Sequence, residues 1–115
     1  MAFSLNTRKV GSVVIIDMSG RLMIGEPVLL LRNTIRRFIE DSTLKFILNL
    51  GDVSHIDSGG LGELVATYTS IRNKGGDVKL LNLDKKAKDL LQMTKLLTVF
   101  DTYSDEAKAL AALGN

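Results

Sequence analysis

Hydrophobic and polar positions along this chain switch repeatedly between a period of two and a period near three and a half, and each switch marks an element. Ala2 to Lys9 reads as an edge strand, with Val10 and Gly11 as the turn after it. SVVIIDMS, Ser12 to Ser19, is β-branched and apolar and predicts a second strand paired to the first. In EPVLLLRNTIRRFIED, Glu26 to Asp41, the spacing turns helical: Val28, Leu31, Ile35 and Phe38 share one face, and Pro27 suits the first turn. Lys45 to Leu50, KFILNL, predicts a buried strand. Leu61, Leu64, Val65, Tyr68 and Ile71 then recur at helical spacing, so a helix is expected from Gly60 to Lys74, stopped by Asn73, Lys74, Gly75 and Gly76. Asp77 to Leu83, DVKLLNL, is a further strand. Asp84 is the expected N-cap of KKAKDLLQM, whose inward face is Ala87, Leu90 and Leu91. Thr98 to Thr102 reads as a short last strand, and Ser104 as the cap of a final helix, DEAKALAAL.

The resulting order, ββαβαβαβα, implies an α/β layer fold with right-handed crossovers. The opening hairpin makes the sheet mixed but mostly parallel, with about five strands and four helices. No linker, repeat or low-complexity tract divides the chain, so residues 1–115 are expected to form one domain.

Composition narrows the function classes. Cysteine is absent, which removes disulfides, thiol catalysis and thiolate metal sites. No apolar stretch approaches a membrane span, and MAFSLNTRKV lacks the apolar core of a signal peptide; a cytoplasmic protein with no membrane association is expected. Net charge is +2, and Arg32, Arg36, Arg37, Lys85, Lys86 and Lys88 mostly have acidic neighbours. With two Tyr, four Phe and no Trp, stacking platforms are lacking, so these charges read as solvated helix faces and not as a nucleic-acid interface.

The chemistry concentrates in HIDSGGLGELV, His55 to Val65. Asp57, Ser58, Gly59, Gly60 and Gly62 stand where a strand hands over to a helix, whose first N–H groups are unpaired and whose dipole favours an anion. Ser58 can cap the helix or stand free to carry a phosphate; Asp57 can cap equally well. Gly59 and Gly60 either permit an unusual backbone turn or, being small, admit an approaching active site. A hydrolase triad of His55, Asp57 and Ser58 is disfavoured: G-x-S-x-G is not met, and residues so close in sequence do not converge as the relay requires. Gly60-Leu61-Gly62 is not a dinucleotide fingerprint. A receiver-type phosphoaspartate at Asp57 would need Mg²⁺ carboxylates on other strand ends, and the second strand offers only Asp17. No cofactor, metal or catalytic residue is therefore expected.

The strand FILNL, DVSHIDSGGLGEL, NKGGDVKLLNL and the closing LLQMTKLLTVFDTYSDEAKAL together resemble the STAS domain family, in particular the bacterial anti-sigma-factor antagonists. The resemblance spans nearly the whole chain, and D-S-x-G-[LI]-G, here Asp57 to Gly62, is its most specific part. It implies that Ser58 is phosphorylated from ATP by a serine kinase that is also the anti-sigma factor. The unphosphorylated form would bind that kinase and free the sigma factor; a phosphoserine phosphatase would reset it. The protein would be a monomer when free. Two positions depart from the family pattern: Gly59 stands where Ser or Thr is frequent, and Met23 where an aspartate often follows G-x-[LI], leaving Glu26 to supply the acidic group from elsewhere. The alternative within the family is a scaffold or adaptor subunit of a sensory or lipid-transport assembly, without a serine switch.

The helical wheel adds a docking surface. Gly62, Ala66 and Ser70 form an i, i+4 row of small residues off the core face. Leu29 and Leu30 lie off the Val28–Leu31–Ile35–Phe38 face, as an apolar partner patch or packed under the Met23–Gly25 loop.

Overall fold

The apolar run Val13 to Ile16, with Met18 and Leu22 beyond it, anchors a ten-residue strand, Val13–Leu22, in the core. In the computed structural model, which describes residues 2–115, this is β2. It lies between β1 (Ser4–Val10), antiparallel to it, and β3 (Lys45–Ile56), parallel to it. β4 (Asp77–Leu81) and β5 (Asp101–Tyr103) continue the sheet in parallel, giving the order β1-β2-β3-β4-β5. The helices are α1 (Glu26–Glu40), α2 (Ser58–Asn73), α3 (Lys85–Met93) and α4 (Glu106–Ala112). The element order is the expected ββαβαβαβα, a mixed, mostly parallel α/β sheet with four helices.

Alternate residues of the central strands feed two cores, as a pleat requires. Val14, Ile16, Met18, Phe46, Leu48 and Leu80 face one side, where Leu31 and Ile35 of α1, Leu64 and Ile71 of α2 and Leu91 of α3 cover them. Val13, Ile15, Ile47 and Leu81 face the other, covered by Ala109 and Leu113 at α4. Phe46 is fully buried, so Phe46→Ala would cost about 3–5 kcal/mol.

Several boundaries differ from the sequence reading, among them the end of β2, at Leu22 and not Ser19. β3 runs six residues past Leu50, because β2 itself continues to Leu22 and pairs with it through shifted register between Asp17 and Ser19 and between Gly20 and Arg21. The polar residues of GDVSHI hid that extension. α2 begins at Ser58, not Gly60. β4 stops at Leu81, where Asn82 takes a left-handed φ of 62°. β5 falls at Asp101–Tyr103, not Thr98–Thr102; Lys79, buried between β4 and β5, bonds both Asp77 at 3.0 Å and Asp101 at 2.6 Å and fixes that pairing. Burial alone would lower the Lys79 pKa, and the two carboxylates raise it instead. The last helix is capped by Asp105, whose side chain accepts from the amides of Ala107 and Lys108, and not by Ser104.

Candidate functional site

β3 delivers the chain to Asp57 in extended conformation (φ −94°, ψ −176°), and α2 starts at the next residue. The Asp57 side chain is the N-cap: Gly60 N–H donates to its Oδ1 at 2.7 Å. The same carboxylate accepts from Ile24 N–H, at 3.2 Å to Oδ1 and 3.1 Å to Oδ2. These donors, Gly60 first and Ile24 second, hold the Asp57 carboxyl below the ordinary aspartate range. The cap therefore belongs to Asp57, and Ser58, exposed at the first helical position, is not needed for it.

Of the two roles open to Gly59 and Gly60, the unusual backbone turn is not the one the structure shows. Gly59 and Gly60 lie within α2, and neither needs a left-handed backbone. A Cβ on Gly60 would stand 2.0 Å from the Leu22 carbonyl oxygen, and one on Gly59 would stand 2.7 Å from Ile24 Cβ. They let the helix start press against the 22–24 segment, the end of β2 and the loop beyond it. Gly62 faces open space.

α2 turns the row Gly62, Ala66 and Ser70 outward, as its spacing predicts. Leu29 and Leu30 are also exposed, so neither is packed away under the Met23–Gly25 loop, although Leu30 borders a shallow depression with Met23, Glu26 and Pro27. Glu63, next to Gly62, is buried and takes two hydrogen bonds from Arg32 of α1, at 3.1 and 2.9 Å. This pair, unforeseen in the sequence, brings the turn after Leu29 and Leu30 against the first turns of α2. Met23 is half-buried and Glu26 is exposed at the start of α1. Ile24 was overlooked as well: it is 77% exposed beside Gly59, and its only sequence signal was an apolar residue inside a turn.

His55 is exposed near the end of β3, and its Nδ1 is 3.0 Å from Ser54 Oγ. It lines a groove of about 360 Å³ with Ile56, Lys86, Leu90 and Met93. Its hydrogen bond goes to Ser54 and not Ser58, which gives no support to a relay. Among the described residues no cluster of three or more His, Cys, Asp or Glu could hold a metal ion. No described helix is long and apolar enough to cross a membrane.

The STAS domain family matches residues 4–109 of this chain. The chain belongs to that family. Among curated relatives, this STAS domain is 40% identical over 52 residues to the anti-sigma-B factor antagonist of Bacillus subtilis, covering 45% of this chain and 48% of that one. It is 31% identical over 67 residues to the anti-sigma F factor antagonist of Paenibacillus polymyxa, covering 58% and 57%. The matches thus span about half the length of these two relatives. A solved Thermotoga maritima structure superposes with a TM-score of 0.89 at 28% identity, covering 96% of this chain and 95% of that one. The antagonist SpoIIAA in its unphosphorylated form shares the STAS fold at 21% identity, with a TM-score of 0.75 over 99% of each chain.

Proposed function

We propose that this chain is an anti-sigma factor antagonist: a binding protein, not an enzyme, that in its unphosphorylated form docks an anti-sigma factor serine kinase and so releases the sigma factor. Ser58 is the phosphoacceptor, and Asp57, Gly59, Gly60 and Gly62 shape its surroundings. The observation that carries this reading is the division of labour at the start of α2. Asp57 caps the helix, and the adjacent serine hydroxyl is presented to solvent at a helix end that favours an anion. The names of the two curated relatives support the antagonist role.

Phosphorylation would add a charge of about −1.5 to −2. Within α2 the first turn holds no acidic side chain, and the helix end favours the added charge, against which stands the carboxylate of the Asp57 cap. The effect falls on the docked partner, since a desolvated dianion without a counter-charge opposes binding. The row Gly62, Ala66 and Ser70 and the rim Leu29 and Leu30 are the proposed contact. The partner kinase adds the phosphate, a separate phosphatase removes it, and the free protein is a cytoplasmic monomer.

Incubation with the anti-sigma factor kinase of the same organism and ATP, followed by intact-mass analysis and phosphopeptide mapping, tests the reading. One phosphate on Ser58 is expected. Modification at half-buried Ser54 or buried Thr67 would overturn the assignment. Stable incorporation into a larger assembly with no phosphorylation would favour the scaffold alternative, to which the missing carboxylate at Met23 lends weight.

A further inference from the structure

A large apolar side chain left in solvent beside a modification site asks what fixes it there. Ile24 is 77% exposed, yet its backbone is not free: its N–H is bonded to both carboxylate oxygens of Asp57, and its Cβ lies against Gly59. The carboxylate that orients the Ser58 helix end through Gly60 N–H is the one that holds Ile24. Gly25 follows in a left-handed conformation (φ 108°) that an ordinary residue rarely adopts, and its carbonyl accepts from Leu29 N–H at 3.1 Å as α1 begins.

We infer that Asp57 is a positioning residue that presents Ile24 and Ser58 to the partner as one rigid unit, with Ile24 the apolar anchor of the contact. The inference rests on the reading that an anti-sigma factor kinase docks over Ser58. Continuity selects that occupant: a surface covering the Ser58 hydroxyl and Gly59 must also cover the isoleucine packed on Gly59. An exposed isoleucine standing beside a small-residue surface fits an apolar pocket with a flat border, and burying such a side chain centrally is how interfaces gain most of their affinity. Holding the loop before binding removes an ordering cost that a mobile loop would carry into the complex.

The work is done by geometry and not charge, which sets the test. Asp57→Asn keeps Oδ1, which accepts from both Gly60 and Ile24, and loses only the second acceptor, Oδ2, that Ile24 N–H also reaches. Asp57→Ala removes both bonds. Amide hydrogen exchange by NMR on the full chain, with no partner present, should show Ile24 N–H exchanging at least tenfold faster in Asp57→Ala and less than threefold faster in Asp57→Asn. Titration with the kinase that phosphorylates Ser58 should then show Ile24→Ala and Asp57→Ala each weakening affinity at least tenfold, and Asp57→Asn less than threefold. In the double variant the losses should not add: once Ile24 is truncated, removing Asp57 should cost less than a further threefold. A merely structural role for Asp57 would give additive losses, and that result overturns the inference. So does an unchanged affinity in Ile24→Ala, a surface substitution that leaves the fold intact even should Asp57→Ala fail to fold. If Ile24→Ala is silent while Ser58→Asp weakens binding, the positioning unit is wrong and the docking reading stands. If Ser58→Asp is silent too, the reading beneath it fails as well.

Discussion

Helices α2 and α3 begin in the same way and end up with different tasks. Each follows an aspartate in extended conformation, Asp57 or Asp84, whose side chain accepts from the amide three residues on: Gly60 at 2.7 Å, Ala87 at 2.8 Å. At α3 the cap is a local matter. Its first turn carries Lys85 and Lys86 into solvent, and an alanine with an ordinary methyl fills the third position. At α2 the cap also reaches another loop at Ile24. The third position is a glycine because the Leu22 carbonyl leaves no room, and a neutral serine stands at the first. A helix cap becomes a candidate functional site when it is tied to a second segment and presents a modifiable group, and α2 alone of the two meets both conditions.

The largest break in that comparison is Gly60→Ala. The methyl would have to displace backbone, so a loss of about 2–3 kcal/mol is expected, and thermal unfolding should show a drop of roughly 10 °C or more. The reverse change in the other helix, Ala87→Gly, should cost about 1 kcal/mol or less. Next comes the surface. Ala66→Arg, on the exposed row of α2, should leave circular dichroism unchanged and weaken kinase binding more than about tenfold, or roughly 1.4 kcal/mol. An unchanged affinity with an intact fold would move the partner elsewhere.

Removing the caps separates the local from the tied one. Asp84→Ala should cost about 1 kcal/mol, and Asp57→Ala should lower the melting temperature further, because it also releases Ile24. The Asp57 contribution has a defined pH window. Its folded pKa lies below the unfolded value, so its charge contributes fully above about pH 3.9. That contribution fades as pH falls through the depressed folded value. The melting-temperature gap between the wild type and Asp57→Asn should therefore narrow in acid. The smallest expected effect is Ser58→Ala. The serine is exposed and is not the cap, so stability should change by no more than about 0.5 kcal/mol in thermal denaturation.

Element order and fold class were legible because each helix carries its apolar stripe and the central strands are apolar throughout. Val13 to Ile16 and Phe46 to Leu48 face a core on both sides and could hardly be anything but strands. The second half of β3 was not legible, since Gly51 and Asp52 are exposed, and Gly51 and Ser54 fall where β3 carries extra residues and its register against β2 shifts. At the candidate site, Asp57 and Ser58 stood out by type, but their sharing of the cap could be read only from hydrogen bonds. Gly59 and Gly60 were visible as glycines, while their reason, contact with Leu22 and Ile24 more than thirty residues upstream, is tertiary. The Arg32–Glu63 pair was hidden for the same cause: nothing local marks Glu63, the single acidic residue of α2, for burial against another helix.

The two ends of the described chain leave the sheet at opposite poles, and this matters to anyone attaching something to it. Ala2 approaches Gly20, and Ala2 and Phe3 border the depression beside Met23 and Leu30, near the serine pole. Asn115 accepts a hydrogen bond from Ser12 N–H at 3.2 Å and abuts Gly11, at the far hairpin. A fluorescent label or affinity handle fused after Asn115 would hang clear of Ser58. The same cargo fused before Ala2 would crowd the surface whose binding is to be measured, and would report its own obstruction as a loss of affinity.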